Sequence, residues 1–388
     1  MMVKVLFASI GLIVYTFAGY PALLALLAKL RSRRVRATPG YTPNVSLIIA
    51  AYNEAQVIEA KLCNTHALEY PSDRLQIIVA ADGSDDRTAE LAARDPRVEV
   101  MYQLERRGKM AAINRAVAAA RGEILVFSDA NNLYTPATLR ELVAPFADPA
   151  VGVVTGRKAI DDGHGRPLDR AEGLYWRYES RIKAWESQLG SVTGVAGEIL
   201  AIRREAFRPP PEGTVNDDFV LAMQAALDGW RVIYVPAAVS LEPASATIGD
   251  EVTRRSRIVA GRYQALIRLL PAMVQRRPLL AWQVVSHKGL RPVVPFAMLT
   301  TFLSNLALVR SARWAGLLAS LQAMFYGAAL IGWWNERAGR HYRIFYLPYY
   351  FCRVNGAAMK GLGAFVRRRN HALWAKARRR DEQASLTR

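Results

Sequence analysis

Two cysteines in 388 residues are too few for a disulfide framework. Cys63 falls in a polar stretch and Cys352 in an apolar one, so a reducing compartment is the default expectation. The five histidines show no paired ligand spacing, which leaves no zinc site. Neither G-x-G-x-x-G nor G-x-x-x-x-G-K-[ST] occurs, which excludes dinucleotide-binding and P-loop chemistry at the motif level. Acidic residues are scarce: 33 Asp and Glu stand against 52 Lys and Arg, a net charge of +19. Such a balance suits nucleic acid, an anionic membrane or an anionic substrate. Zinc-finger spacing and aromatic-interleaved RNA motifs are missing, so no nucleic-acid partner is expected. The arginines instead flank apolar segments, at 31–36, 276–277, 367–369 and 378–380, which favours a membrane.

What is present divides by composition. Residues 3–30 carry only Lys4 before Lys29, and are long enough to span a bilayer. A cleaved signal peptide is the alternative, but the apolar core is long for one and no clear small-x-small site follows. The basic flank 29–36 places that end in the cytoplasm, and Pro39, Gly40 and Pro43 form a linker. Residues 254–277 alternate basic and apolar positions, as an interfacial amphipathic helix does. Residues 292–309 and 314–334 are spanning candidates. A third, 344–366, is interrupted by Arg353, Asn355 and Lys360, and a re-entrant piece is as well supported there as a span. Two later spans return the basic tail to the cytoplasm, whereas a further one would put it outside. The expected organisation is 1–36 membrane helix and flank, 43–250 cytoplasmic domain, 251–292 interfacial segment, 293–366 membrane segments and 367–388 basic tail. The expected location is the cell (inner) membrane, multi-pass.

Between the linker and the interfacial segment, short apolar runs alternate with helical patterns. Strands are predicted at 45–51, 75–81, 98–103 and 124–128, with 151–156 continuing the sheet. Helices are predicted at 54–66, with Asn53 as N-cap, at 87–94, at 109–121 up to Gly122, and at 139–146. This alternation implies an α/β fold with a parallel sheet and right-handed crossovers. A long amphipathic helix at 168–189, a segment at 192–203 whose Gly194 and Gly197 permit close approach, a helix at 216–228 and a strand at 231–235 closed by Pro236 follow.

The chemistry-bearing residues gather where strands end. The run 124–127 leads into Ser128-Asp129-Ala130-Asn131. Asp129 and Asn131, two apart, either make a turn or aim oxygens at one Mg²⁺ or Mn²⁺ ion. Tyr52 and Glu54 follow the first strand, and Asp82 ends the second. The carboxyl ends of strands in one sheet share a crevice. Arg106, Arg107 and Lys109 start a helix, where N–H groups and positive side chains attract phosphate. Asp217-Asp218 either respond to a helix dipole or form a like-charge pair, which raises one pKa toward that of a base. Asp85 and Asp86 are expected to cap the helix that follows. Tyr175, Trp176 and Trp185 suit packing or sugar stacking. Glu198 either belongs to an acceptor site with the nearby glycines or pairs with Arg203 or Arg204, and His287-Lys288 suits an interface anchor.

Seven motifs, V-S-L-I-I-A-A-Y-N-E, A-D-G-S-D-D-R-T, R-G-K-M-A-A-I-N, F-S-D-A-N-N, V-T-G-V-A-G-E-I-L-A-I-R-R, V-N-D-D-F and R-R-S-R-I, occur in that order within residues 44–264. The series resembles the membrane-embedded inverting family 2 glycosyltransferases, the group with cellulose, chitin, hyaluronan and poly-N-acetylglucosamine synthases. The resemblance implies a Rossmann-like, glycosyltransferase A type domain with a mostly parallel sheet and terminal transmembrane helices. It implies transfer from a UDP-sugar to a glycan or lipid-linked acceptor, forming a β-glycosidic bond. Asp82 with Tyr52 and Glu54 would hold the uridine, and Lys109 the nucleotide or its diphosphate. Asp129 would contact the nucleotide and the metal-bound diphosphate, with Asn131 beside it at the metal, Asp218 would be the general base, and Arg254, Arg255 and Arg257 would lie near the diphosphate and acceptor. The sequence departs from the family at two points. The second carboxylate of D-x-D is Asn131, which lowers the expected cation affinity. The acceptor-stacking aromatic of Q-x-x-R-W is replaced by Ile258, which argues against processive polymerisation; Tyr263 is the substitute, at a different spacing. A nucleotidyltransferase and a non-catalytic sugar-nucleotide-binding membrane protein are the alternatives.

Overall fold

In the computed structural model the apolar run Val45–Ala51 (β1) is a central strand, buried on both faces. The structure describes all residues except 39, 162–166, 212, 244–247, 339, 341 and 368–388, and the side chains of 160–161, 167–175, 243, 248–252 and 343 are likewise not described. The other strands are β2 (Leu75–Asp82), β3 (Val98–Gln103), β4 (Ile124–Asp129), β5 (Leu133–Tyr134), β6 (Val151–Asp161), β7 (Leu200–Arg203) and β8 (Arg231–Pro243). Among the described residues they form one sheet in the order β3-β2-β1-β4-β7-β6-β8-β5. β3, β2, β1 and β4 are parallel to one another and β6 is parallel to β8, while β7 and β5 run antiparallel to their neighbours. The expected mostly parallel α/β sheet is therefore present, with the reversals confined to one half.

Successive residues of a strand point to opposite faces, and both faces are dry here. Ile48, Ile78 and Phe127 join one core with Ala112 and Met223 from the helices Lys109–Ala119 and Asp217–Leu227. Leu47, Ile49 and Val126 join the other with Leu62 and Leu142. Two local expectations change. Asn53 does not cap a helix: its φ is +54° and its amide donates to Asp85 at 2.6 Å, so the helix starts later, at Ile58–His66. Pro236 does not end β8, which passes it where the pairing with β6 slips register.

Two helices among the described residues, Met2–Leu30 and Arg313–Arg337, are long and apolar enough to cross a membrane. Phe7, Leu26, Leu317, Met324 and Leu330 on them stay exposed, an apolar surface that suits lipid. The expected span at 292–309 is instead a helix of 15 residues, Val294–Leu308, short of the roughly 20 that a bilayer needs. It packs on the first helix, where Thr301 donates to Ser9 at 2.8 Å. The amphipathic segment forms the helix Ile248–Arg276, and Arg343–Val366 lies along it.

Candidate functional site

Parallel register sets Ala51 beside Ala81 and Ala50 beside Asp129. Tyr52, Asp82 and Asp129 therefore leave the sheet at one edge, where open α/β sheets bind ligands. Asp82 is buried, and both its oxygens are engaged. One accepts the Arg107 N–H at 2.9 Å and the other the Gly108 N–H at 2.7 Å. Two of the N–H groups at that helix start, those of Arg107 and Gly108, are therefore tied to Asp82 rather than open to phosphate. Arg106 in the same turn sets its guanidinium 3.8 Å from the Tyr52 ring centre, a cation–π contact. Glu54 is buried beside them, with its N–H on Thr88 Oγ1.

Across the crevice Lys109 Nζ donates to Asp129 Oδ1 at 2.6 Å, with the two side chains 30% and 36% exposed. Burial acts against the Asp129 charge, but Lys109, Lys158 and Lys61 outweigh it and hold the carboxyl below its usual range. Burial likewise disfavours the Lys109 ammonium, yet Asp129, Asp217 and Asp218 hold it above its usual range. Asp217 and Asp218 open the helix Asp217–Leu227, and Asp218 Oδ1 accepts the Phe219 N–H at 2.7 Å. The backbone at Gly197 runs against Asp218: a Cβ there would stand 3.2 Å from the Asp218 Cβ. Burial, and then the neighbouring Asp217 charge, push Asp218 up to about 7, Glu198 adding to the rise against Phe219 and Lys109.

Burial also lowers the Arg257 pKa, Arg254 reinforcing this against the pull of Asp217, Asp129 and Asp218. Arg257 thus lies in the field of the acidic groups, with Arg254 near it. Arg255 donates to Tyr350 at 2.9 Å on the Arg343–Val366 helix. Tyr263 stacks on Phe365 at 5.6 Å between ring centres and braces the same contact.

Several residues of the crevice carried no sequence signal. Lys158 on β6 is buried and ion-pairs with Glu242 on β8; Glu198 lies 3.6 Å from it. Asn131 sets its amide nitrogen 3.5 Å from Glu242. Arg203 and Arg204 bind backbone carbonyls of Phe146 and Gly122, so the expected partner of Glu198 is replaced by Lys158. Only the β6–β8 pairing, distant in sequence, brings these groups together. Asp86 accepts the Thr88 N–H at 2.9 Å, as a cap does. The Trp176 ring lies 5.5 Å from Lys158 Nζ, and Trp185 packs against the apolar cluster that includes Tyr20; the Tyr175 side chain lies outside the described residues.

Beneath Asp129, Lys61 donates to Ser128 Oγ at 2.7 Å and to the backbone oxygen of Asn132 at 2.7 Å. Burial lowers its pKa to about 7 against the pull of Asp129. Asn132 in turn donates to the Glu198 carbonyl and to Ser240 Oγ, which locks the β4 tip to β8. Lys61→Met removes the side-chain donor to the Asn132 backbone oxygen and to Ser128 Oγ, which keeps its bond to Asn132 Oδ1, and is expected to cost about 1–3 kcal/mol. Thermal unfolding measures that loss, and a rise in the KM for the donor reports the loosened turn at Asp129.

Residues 46–209 match the model of glycosyl transferase family 2. A β-monoglucosyldiacylglycerol synthase of Synechocystis is 31% identical over 236 residues, 57% of this chain and 48% of that protein. A poly-β-1,6-N-acetyl-D-glucosamine synthase of Staphylococcus aureus is 26% identical over 232 residues, 58% of this chain and 56% of that protein. The chain thus spans about half the length of these curated relatives. A solved mannosyltransferase of Pyrobaculum calidifontis, in complex with GDP-Man and Mn²⁺, superposes with a TM-score of 0.69 at 27% identity, over 93% of this chain and 99% of that one.

Proposed function

The chain carries a glycosyl transferase family 2 domain, and on that premise we propose that it is an inverting, membrane-anchored hexosyltransferase with its active site on the cytoplasmic face. The donor is a UDP-sugar and the acceptor a glycan or a lipid-linked sugar, joined through a β-glycosidic bond. One observation carries this reading. An acid held near neutrality, Asp218, shares a crevice with the Lys109–Asp129 pair.

Inversion needs one base to take a proton from the attacking hydroxyl as the diphosphate leaves in line. Asp218, about half ionised near pH 7, is that base. Lys109, Arg254 and Arg257 stabilise the charge that develops on the leaving diphosphate. Tyr52, Glu54 and the Asp82-tied turn form the wall against which the nucleotide lies, and Arg255 braces the helix that carries Arg254 and Arg257.

Among the described residues no group of three or more His, Cys, Asp or Glu is arranged to hold a metal ion. The donor set nevertheless fits Mg²⁺ or Mn²⁺, which bind through one or two carboxylates plus substrate phosphates rather than a protein cage. Asp129 would be the charged ligand and Asn131 a neutral one, and the ion would neutralise charge on the leaving diphosphate.

The test is turnover by the purified protein in lipid with UDP-sugars, with GDP-mannose as the control donor, and with Mg²⁺ or Mn²⁺. Release of UDP coupled to acceptor glycosylation is expected. Release of diphosphate from a nucleoside triphosphate instead would make the protein a nucleotidyltransferase and end the proposal, and binding without turnover would make it a non-catalytic receptor.

A further inference from the structure

Away from the crevice lies a second buried polar cluster. Glu186, near the end of the helix Pro167–Leu189, is 0% exposed. Its carboxylate accepts from Tyr20 Oη at 2.6 Å, from the Thr193 N–H at 2.8 Å and from Thr193 Oγ1 at 3.0 Å, and His287 Nδ1 lies 2.8 Å away. These partners come from the N-terminal membrane helix, from the segment after residue 190 and from the helical stretch that follows Pro278. The sequence suggested an interface anchor for His287 and Lys288; both are buried instead. Glu179 holds them from the far side, with His287 Nε2 and Lys288 Nζ each 3.2 Å away, and it also pairs with Arg291. Burial disfavours the Glu186 charge, but His287, Tyr20 and Thr193 hold its carboxyl below the usual range.

We propose, on the basis of the transferase reading above, that Glu186 is a positioning residue. Through Thr193 it sets the segment that backs Asp218, and through Tyr20 it makes that placement depend on the membrane helix.

The route is short. Thr193 is fixed by Glu186, and Val192 just before it by the Val232 carbonyl at 2.8 Å. Lys288 Nζ would stand 2.8 Å from a Cβ on Gly194, so the ammonium rests on that backbone. Ala196 N–H donates to Thr155 Oγ1, and the next residue, Gly197, abuts Asp218. A shift at Thr193 therefore reaches the backbone against the base within four residues. The Lys109–Asp129 pair sits on β4 and the helix Lys109–Ala119, across the crevice, and does not rest on Glu186. Stability alone is a weak reason for such a cluster, since a buried ionic group is often matched by apolar residues of the same volume.

Full-length Glu186→Gln, Thr193→Val, Thr193→Ser and Tyr20→Phe are the test, each reconstituted in lipid. Glu186→Gln and Thr193→Val are expected to lower kcat about 10- to 100-fold, the effect of a misplaced reacting group, with UDP affinity within about twofold of the parent. Thr193→Ser keeps the hydroxyl and is expected to retain kcat. Tyr20→Phe is expected to fall between these variants. Loss of UDP affinity in step with kcat, unchanged kcat in Thr193→Val, or equal loss in Thr193→Ser each overturns the inference. Should Glu186→Gln not fold, the Thr193 pair decides alone. Turnover by the parent checks the transferase reading separately: a parent that turns over beside an unaffected Thr193→Val sinks only the positioning role.

Discussion

Asp218→Asn is expected to lower transfer by about 10²- to 10⁴-fold, the usual range for removing a general base, while UDP still binds. The substitution keeps shape and removes the ability to take a proton. The Lys109–Asp129 pair, on which the donor diphosphate and its cation would lie, is untouched. The wild-type rate should itself report the base. With Asp218 pushed up to about 7 by burial and by Asp217, kcat should climb with pH through that value and level off above it, where the carboxylate is ionised. Asp217→Asn removes the like charge and should move the rise to lower pH. Stability should run the other way. The folded value of about 7 lies above the reference value of 3.8, so the folded state binds this proton more tightly than the unfolded chain. That contribution is present at low pH and is lost as the pH rises through about 7. Asp218→Asn should therefore melt higher than the parent at about pH 8 and converge with it in acid. A variant that transfers at the parental rate, or a flat pH profile in the parent, would remove Asp218 from the role of base.

The fold was legible because its signals are local. The runs that become β1, β2 and β4 are apolar at successive positions, as strands covered on both faces must be, and they are separated by helical patterns long enough for crossovers. The antiparallel insertion of β7 carries no such signal, since four residues do not reveal which neighbour they pair with. The crevice divides in the same way. Asp82, Lys109, Asp129 and Asp218 stand at ends of elements and were visible as polar punctuation of apolar patterns. Lys158 and Glu242 lie inside long strands and meet only through the β6–β8 pairing. Lys61 sits mid-helix, where a lysine ordinarily faces water; only its position under the β4 tip explains why it is 1% exposed. His287 misled for the same reason. A basic pair beside an apolar run reads as an interface anchor until the two glutamates of a helix a hundred residues earlier are placed against it.

Asp129→Ala should damage both kcat and donor affinity, because two functions converge on one carboxylate. It neutralises Lys109 at 2.6 Å, and it is the one charged oxygen donor two residues from Asn131. Removing one preorganised electrostatic group costs about 10²- to 10³-fold in kcat. Here donor affinity should fall as well, because cation and diphosphate bind together. Asp129→Asn separates the parts: it keeps a neutral oxygen, and should recover some turnover at high Mn²⁺ while removing the charge that pairs with Lys109. The converse change, Asn131→Asp, restores the family's paired carboxylates and should tighten Mn²⁺ binding in the presence of UDP. Its surroundings limit the gain. The Asn131 amide nitrogen lies 3.5 Å from Glu242, and a carboxylate there would meet that glutamate as a like charge. Lys158 already pairs with Glu242 and stands close to Glu198, so it cannot compensate a third carboxylate fully. The double variant Asn131→Asp with Glu242→Gln should therefore bind Mn²⁺ more tightly than either single variant. Calorimetric titration of Mn²⁺ into the UDP-saturated proteins measures this. Equal affinities in all four proteins would mean that Asn131 does not face the cation, and that the neutral residue in the D-x-D position reflects a site in which Asp129 alone meets the ion.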